Sequence, residues 1–199
     1  MAERQRRTPR QARSESTIDA ILDATFQLLE ADGIDRLTTN RIAERAGVSI
    51  GTLYQYFAGK QDILAALAQR RAASVRDAIA ETVIERPDIG SVRAIVRSLM
   101  KGVEGSPATG QVLFEALFQK GKDGMLAHHH QAFLAAIAGR ARLEITLTNE
   151  SAFVLTHAAV GLLRAAAAEP DLALDPAKLE DELVRLMKAY VAALAQSAR

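Results

Sequence analysis

The stretch that decides the fold runs from Thr39 to Ala58, TNRIAERAGVSIGTLYQYFA. Two helices that cross steeply through a tight turn need a small residue where they touch. They also need a residue tolerant of positive φ at the turn. Ala43 supplies the first and Gly47, four residues later, the second. Ile42, Ala46, Val48 and Leu53 are apolar at spacings that would pack both helices onto a preceding one. Thr38 or Thr39 can cap the first of the pair and Ser49 the second. The exposed positions of the second helix are then Ile50, Gly51, Thr52, Gln55 and one edge of Tyr54 and Tyr56. Tyr54 and Phe57, three residues apart, are the positions of this helix that packing would also claim. These features are those of a helix-turn-helix.

Helical periodicity continues on both sides. Upstream, Ile18, Ile21, Leu22, Thr25, Leu28 and Leu29 share one helix face. Ser16, with Asp19 three residues on, reads as the N-cap of that helix, and Asp32-Gly33 as its end. Downstream, Pro87, Pro107, Gly121 with Gly124, and Pro170 with Pro176 divide the chain into further helical segments. Asp175-Pro176 is a strong start signal, because Asp caps and Pro tolerates the first turn. Leu179, Leu183, Leu186, Met187, Tyr190, Val191 and Leu194 follow it as an apolar stripe. One segment departs from this pattern. Leu143, Ile145 and Leu147 alternate with Glu144, Thr146 and Thr148 as in a strand, but an unpartnered strand is not stable. It reads as a frayed helix end and a loop. The expected fold is all-α with about nine helices and no internal repeat.

The composition fits. The 199 residues are 49% hydrophobic and 25% charged, as in an ordinary globular chain of one large or two small domains. The absence of cysteine excludes a disulfide framework, a thiolate zinc site and a cysteine nucleophile. The net charge of +1 conceals an uneven spread. Residues 1–13 carry five arginines against Glu3, and residues 36–60 carry Arg36, Arg41, Arg45 and Lys60 against Glu44. Residues 61–199 balance to zero, with 16 basic and 16 acidic side chains. Two basic clusters ahead of a neutral body point to a polyanion-binding end joined to a different function.

The quoted residues carry a resemblance. Thr38-Thr39, Ile42-Ala43, Ala46 to Ser49, Gly51 to Tyr54, Tyr56-Phe57, Lys60 and Ile63-Leu64 stand in the pattern of the TetR family's DNA-binding domain. Ile21-Leu22, Ala24, Phe26 and Gly33 fit the same pattern, so the resemblance covers about residues 14–65. It implies a basic arm (1–13), a three-helix DNA-binding domain (14–60, motif about 38–57) and a helical effector-binding and dimerisation domain (61–199). It further implies that the second helix of the motif enters the major groove of a double-stranded DNA operator. Ile50, Gly51, Thr52, Tyr54, Gln55 and Tyr56 would then meet DNA. Thr52 and Gln55 suit base edges, since Gln pairs bidentately with adenine and Thr touches the thymine methyl. Gly51 suits a close backbone approach, and the Tyr54 and Tyr56 hydroxyls and Lys60 suit phosphates. Thr38, Thr39 and Ser49 lie where the family clamps the DNA backbone or caps its helices, and Asn40 is a further candidate base reader. Ile50 departs from the pattern, which is often polar or basic there.

The resemblance also implies a homodimer formed by the last two long helices, here about 150–168 and 177–195. The stretch Ala152 to Leu163 (AFVLTHAAVGLL) is apolar on every face and so expects burial all round, in the chain's own core or against a second subunit. Its charge-free run reads as too short for a bilayer, which needs roughly 20 residues. With no secretory apolar core in the basic N-terminus, the reading is a cytoplasmic bacterial protein, on the nucleoid when bound to DNA, with no membrane partner.

Met100, Val103, Glu104, Phe114, Phe118, Phe133 and His157 recur at helical spacing on segments that the family folds around an effector pocket. That pocket would be mostly apolar, and the helix starting near Gln61 would transmit its occupancy to the reading helices. His128-His129-His130 is no metal site by spacing, because consecutive helical residues point about 100° apart. No phosphate loop, nucleophile elbow or catalytic carboxylate pair is present in the sequence, so no enzyme, cofactor or metal is expected. The expected function is a repressor released from a palindromic operator by a small apolar effector. The alternatives are a DNA-binding protein of the same fold without an effector and, from another class, an all-α enzyme or carrier.

Overall fold

A computed structural model of the chain describes residues 9–86, 91–102, 105–119, 131 and 148–197. Eight α-helices occur among them: α1 (Pro9–Asp32), α2 (Thr39–Ala46), α3 (Ile50–Tyr56), α4 (Lys60–Glu85), α5 (Val92–Gly102), α6 (Pro107–Gln119), α7 (Asn149–Ala168) and α8 (Pro176–Ser197). A short 3-10 turn, Pro170–Leu172, lies between the last two, and no strand occurs among the described residues. The alternating segment 143–147 lies outside the described residues. By its contacts the chain divides into two compact units after Ala68.

The first unit is built on α1. Ile21, Leu22, Ala24, Thr25, Leu28 and Leu29 are all buried, at the spacing of one helix face. The Thr25 hydroxyl is satisfied there by donating to the Ile21 carbonyl at 2.7 Å. Ile42 and Ala43 of α2 and Leu53 of α3 are buried too, as are Leu37, Phe57, Ile63 and Leu64. Ala46 and Val48 are half-buried. The start of α1 corrects the expectation from sequence: Ser16 is an exposed residue inside the helix, which begins seven residues earlier at Pro9. A proline pre-sets the first-turn φ, and the following Gln, Ala and Arg residues propagate a helix well, so Ser16 loses its role as a cap. Arg10 and Arg13 therefore belong to a helix and not to a flexible arm.

The turn between α2 and α3 follows the chemistry of its residues. Thr38 caps α2, its hydroxyl accepting from the Arg41 amide at 3.3 Å. Ser49 caps α3, accepting from the Thr52 amide at 3.0 Å. Gly47 stands at φ 68°, and the Val48 amide donates back to the Ala43 carbonyl at 3.0 Å. A Cβ at Gly47 would meet nothing within 4 Å, so only the backbone opposes one. Gly47→Ala should therefore cost about 1 kcal/mol in urea unfolding. A loss several times larger would mean that side-chain crowding, not φ, selects glycine.

The second unit packs α5, α7 and α8 around Val92, Val96, Ala159, Leu163, Leu183, Val184 and Met187. Asp175 caps α8 through the Ala177 amide at 2.8 Å, as Asp175-Pro176 predicts. Arg93 and Arg97 of α5 grip Glu180 of α8, and Arg93 also pairs with Asp181. The Arg97 and Arg93 guanidiniums hold the Glu180 carboxyl below its ordinary value.

One expectation about the apolar stretch, that it is too short for a bilayer, needs correction. α7 has 20 residues, so by length and composition it could cross a membrane, at a mean hydropathy of 1.4 over its most apolar window. The helix outruns the charge-free run at both ends, taking in Glu150 and Arg164. Within the protomer it is buried on one side: Ala152, Ala159 and Leu163 are buried, whereas Phe153, Val154 and Leu162 are exposed, which leaves open the second-subunit alternative of the sequence expectation.

Candidate nucleic-acid interface

Because Leu53 is the only buried residue of α3, the rest of that helix is turned outward. Ile50, Gly51, Tyr54 and Gln55 are exposed, while Thr52 and Tyr56 are half-exposed. No carboxylate occurs in α3, IGTLYQY, so this face offers hydroxyls, an amide and apolar surface without repelling a polyanion. Tyr54 is 53% exposed, which corrects the packing role its spacing suggested; Phe57 takes that role alone. The Tyr54 hydroxyl lies 3.2 Å from the Thr39 hydroxyl, joining the start of α2 to α3 on the exposed side. The Thr52 hydroxyl lies 2.8 Å from that of Ser49. Ser49 Oγ also accepts from the Thr52 amide at 3.0 Å, so the two side chains are held together at the start of α3.

Nothing within the chain demands a glycine at position 51. A Cβ there would sit 3.8 Å from Ser49 Oγ, an ordinary contact. The space a side chain would take lies outside the protein, which is what close approach by a partner requires. Thr38 and Asn40 are exposed and Thr39 half-buried at the start of α2, and Lys60 is half-buried at the start of α4.

The second basic cluster is less free than its charge count suggests. Arg41 pairs with Asp32 and donates to the Arg36 carbonyl at 3.0 Å. Arg45 donates through Nε to Gln27 Oε1 at 2.9 Å. Both arginines tie α2 to α1 or to the turn after it, so the sign of a cluster overstated the charge available to a ligand. Conversely, Arg13, Ser14 and Thr17 of α1 line a cleft with residues of the turn and of α3, which the sequence reading missed. The signal for them was Pro9, whose value as a helix start places Arg13 on the same rigid element as Ile21.

Three of the effector candidates have described side chains. Met100 packs against the core of the second unit, and Phe114 is half-buried on α6. His157 stacks on the exposed Phe153 ring, centroids 3.9 Å apart, with Nδ1 3.0 Å from the Phe153 carbonyl. Val103, Glu104, Phe133, the Phe118 side chain and the His128–His130 run lie outside the described residues. No group of three potential metal ligands occurs among the described residues.

Residues 21–67 match the family model described as bacterial regulatory proteins, tetR family. The uncharacterized HTH-type transcriptional regulator TtgW of Pseudomonas putida is 34% identical over 113 residues, which cover 56% of this chain and 80% of that protein. An uncharacterized HTH-type regulator of Mycobacterium bovis is 28% identical over 65% of this chain, and the matched part spans 66% of its length. Among solved structures, a TetR-family regulator from Streptomyces coelicolor superposes with a TM-score of 0.63 at 24% identity, over 89% of this chain and 99% of that one. LfrR from Mycobacterium smegmatis, solved in complex with proflavine, gives 0.57 at 20% identity over 90% and 97%. The fold, the turn chemistry and the sequence match agree: this chain belongs to the TetR family of bacterial regulatory proteins.

Proposed function

We propose that the protein is a transcriptional regulator that binds double-stranded DNA as a homodimer, inserting α3 of each protomer into the major groove. The observation that carries this reading is the outward face of α3, free of carboxylates and held by caps at Thr38 and Ser49. Thr52 and Gln55 read base edges in it, Tyr54 and Thr39 meet the backbone together, and Lys60 holds a phosphate. Ile50 contributes apolar contact, suited to a thymine methyl. Asn40 on α2 and Tyr56 at the end of α3 add secondary contacts.

The regulatory direction we propose is repression, relieved by a small apolar effector bound in the second unit. Support for a small-molecule effector comes from LfrR, a protein of the same fold whose structure holds proflavine. An effector acts only through unequal affinity for two spacings of the reading helices, and operator must weaken effector binding by the same factor.

Selection from a random duplex library tests the DNA reading. It should return a palindrome whose half-sites lie about 34 Å apart or a small multiple of that. No enrichment at physiological salt would overturn it. Within the selected site, Gln55→Ala should cost roughly 1–3 kcal/mol at one base pair and relax the preference there. Lys60→Ala should instead weaken all sequences alike and lower the salt slope by about one. A Gln55→Ala protein with unchanged affinity and preference would mean that α3 is oriented differently on the duplex.

A further inference from the structure

A groove of about 660 Å3 separates the early part of α1 from the reading helix. Arg13, Ser14 and Thr17 line it from α1, Thr52, Gln55 and Tyr56 from α3, and residues 47–49 complete it. No carboxylate is among its lining residues. Guanidinium, hydroxyl and amide groups are the side chains that proteins turn toward DNA phosphates and sugars.

Two further observations separate this groove from an accident of packing. Between Arg13 and Ala20 no side chain of α1 is buried, and the core of the unit starts only at Ile21. From Arg13 to Ala20 the helix therefore supplies no fully buried side chain to that core, yet the helix is continued through these residues. The polar groups are also unequally engaged. Thr17 donates to the Arg13 carbonyl at 2.9 Å and Thr52 is paired with Ser49. The side chains of Arg13, Ser14, Gln55 and Tyr56 have no hydrogen-bond partner among the described residues, so two free groups on α1 face two on α3.

We infer that this groove seats one sugar-phosphate strand of the duplex that α3 reads, with Arg13 and Ser14 as phosphate-binding residues on α1. The inference rests on the DNA-binding reading above and extends it to a helix outside the helix-turn-helix. Thr52 and Gln55 belong both to the groove and to the reading face, so a duplex engaged by α3 brings its nearer backbone to this wall. Arg13 acts as a charge on a rigid helix, which fixes the position of the strand and with it the depth of α3 in the major groove.

The test uses the full chain and the duplex selected by it. Arg13→Gln should fold normally, because Arg13 is exposed and Gln is a good helix former. It should bind selected and unrelated duplexes roughly tenfold more weakly at low salt, with the salt slope lower by about one. Arg13→Lys should restore the slope, and Ser14→Asp should weaken binding further by repulsion. Neutral methylphosphonates placed one at a time then locate the contact. One position per half-site should weaken the wild type several-fold and leave Arg13→Gln unaffected, the non-additivity expected of direct partners. If every methylphosphonate costs both proteins the same, or Arg13→Gln keeps full affinity and slope, the groove is not a strand site. A wild type that binds no duplex would overturn the DNA-binding reading, and this inference with it.

Discussion

Leu186→Glu should turn a dimer into a monomer without unfolding the protomer. Leu186 is 48% exposed on α8, although Leu183 and Met187 on the same helix are buried in the protomer's own core. Phe153 at 53% and Leu162 at 45% are its counterparts on α7. Monomeric proteins seldom leave so many large apolar side chains in water, and an all-helical pair exposing them is suited to an isologous contact with a second copy. A glutamate at Leu186 meets solvent in a monomer and apolar surface in a dimer, where an unpaired buried charge costs several kcal/mol. Sedimentation should show half the mass at micromolar concentration, with the helical circular dichroism retained. DNA affinity should fall at least a hundredfold, because the second half-site no longer binds intramolecularly. Val160 is half-buried, so Val160→Glu mixes a folding defect with an interface defect and is the weaker test. A fully dimeric Leu186→Glu protein would place the interface elsewhere.

The difference between Leu183 and Leu186 also marks the limit of what sequence reveals. Both belong to one apolar stripe, and hydropathy does not distinguish a core that the chain supplies itself from one that a partner supplies. The same limit explains why α7 reads as buried on all faces while the protomer covers only one of them. Local chemistry is far more legible. Thr38, Ser49 and Asp175 each combine a capping side chain with the amides it reaches two or three residues on, and Gly47 is required by its own φ. Such features depend on neighbours in sequence, so they were readable before any tertiary contact was known. The start of α1 failed because two local signals competed, Ser16 as a cap and Pro9 as a first-turn residue, and nothing between them stops a helix. The basic cluster failed differently: whether Arg41 serves DNA or Asp32 depends on a carboxylate nine residues away and on the turn between them. Effector residues are the least legible, because a cavity is a property of several helices packed together and no spacing along one of them specifies it.

Leu53→Ala should abolish DNA binding while leaving the dimer intact. A seven-residue helix such as α3 is far below the length at which an isolated helix holds together in water. Its structure depends on the Ser49 cap, on Phe57 just past its end and above all on Leu53, which is fully buried. Truncation to Ala removes that contact and leaves a cavity, a loss of about 2–5 kcal/mol. The loss falls within the first of the two compact units, so it should act locally. Amide exchange at residues 50–57 should accelerate by two orders of magnitude or more, and the exposed residues of α3 should lose their common orientation. Affinity for the selected duplex should approach that for unrelated DNA, since basic side chains outside α3 still attract phosphates without reading bases. Leu53→Met, which keeps the volume, should cost less than about 1.5 kcal/mol and retain the preference. Sedimentation should find both variants dimeric. If Leu53→Ala bound the selected site within about threefold of the wild type, α3 would not be the helix that reads it.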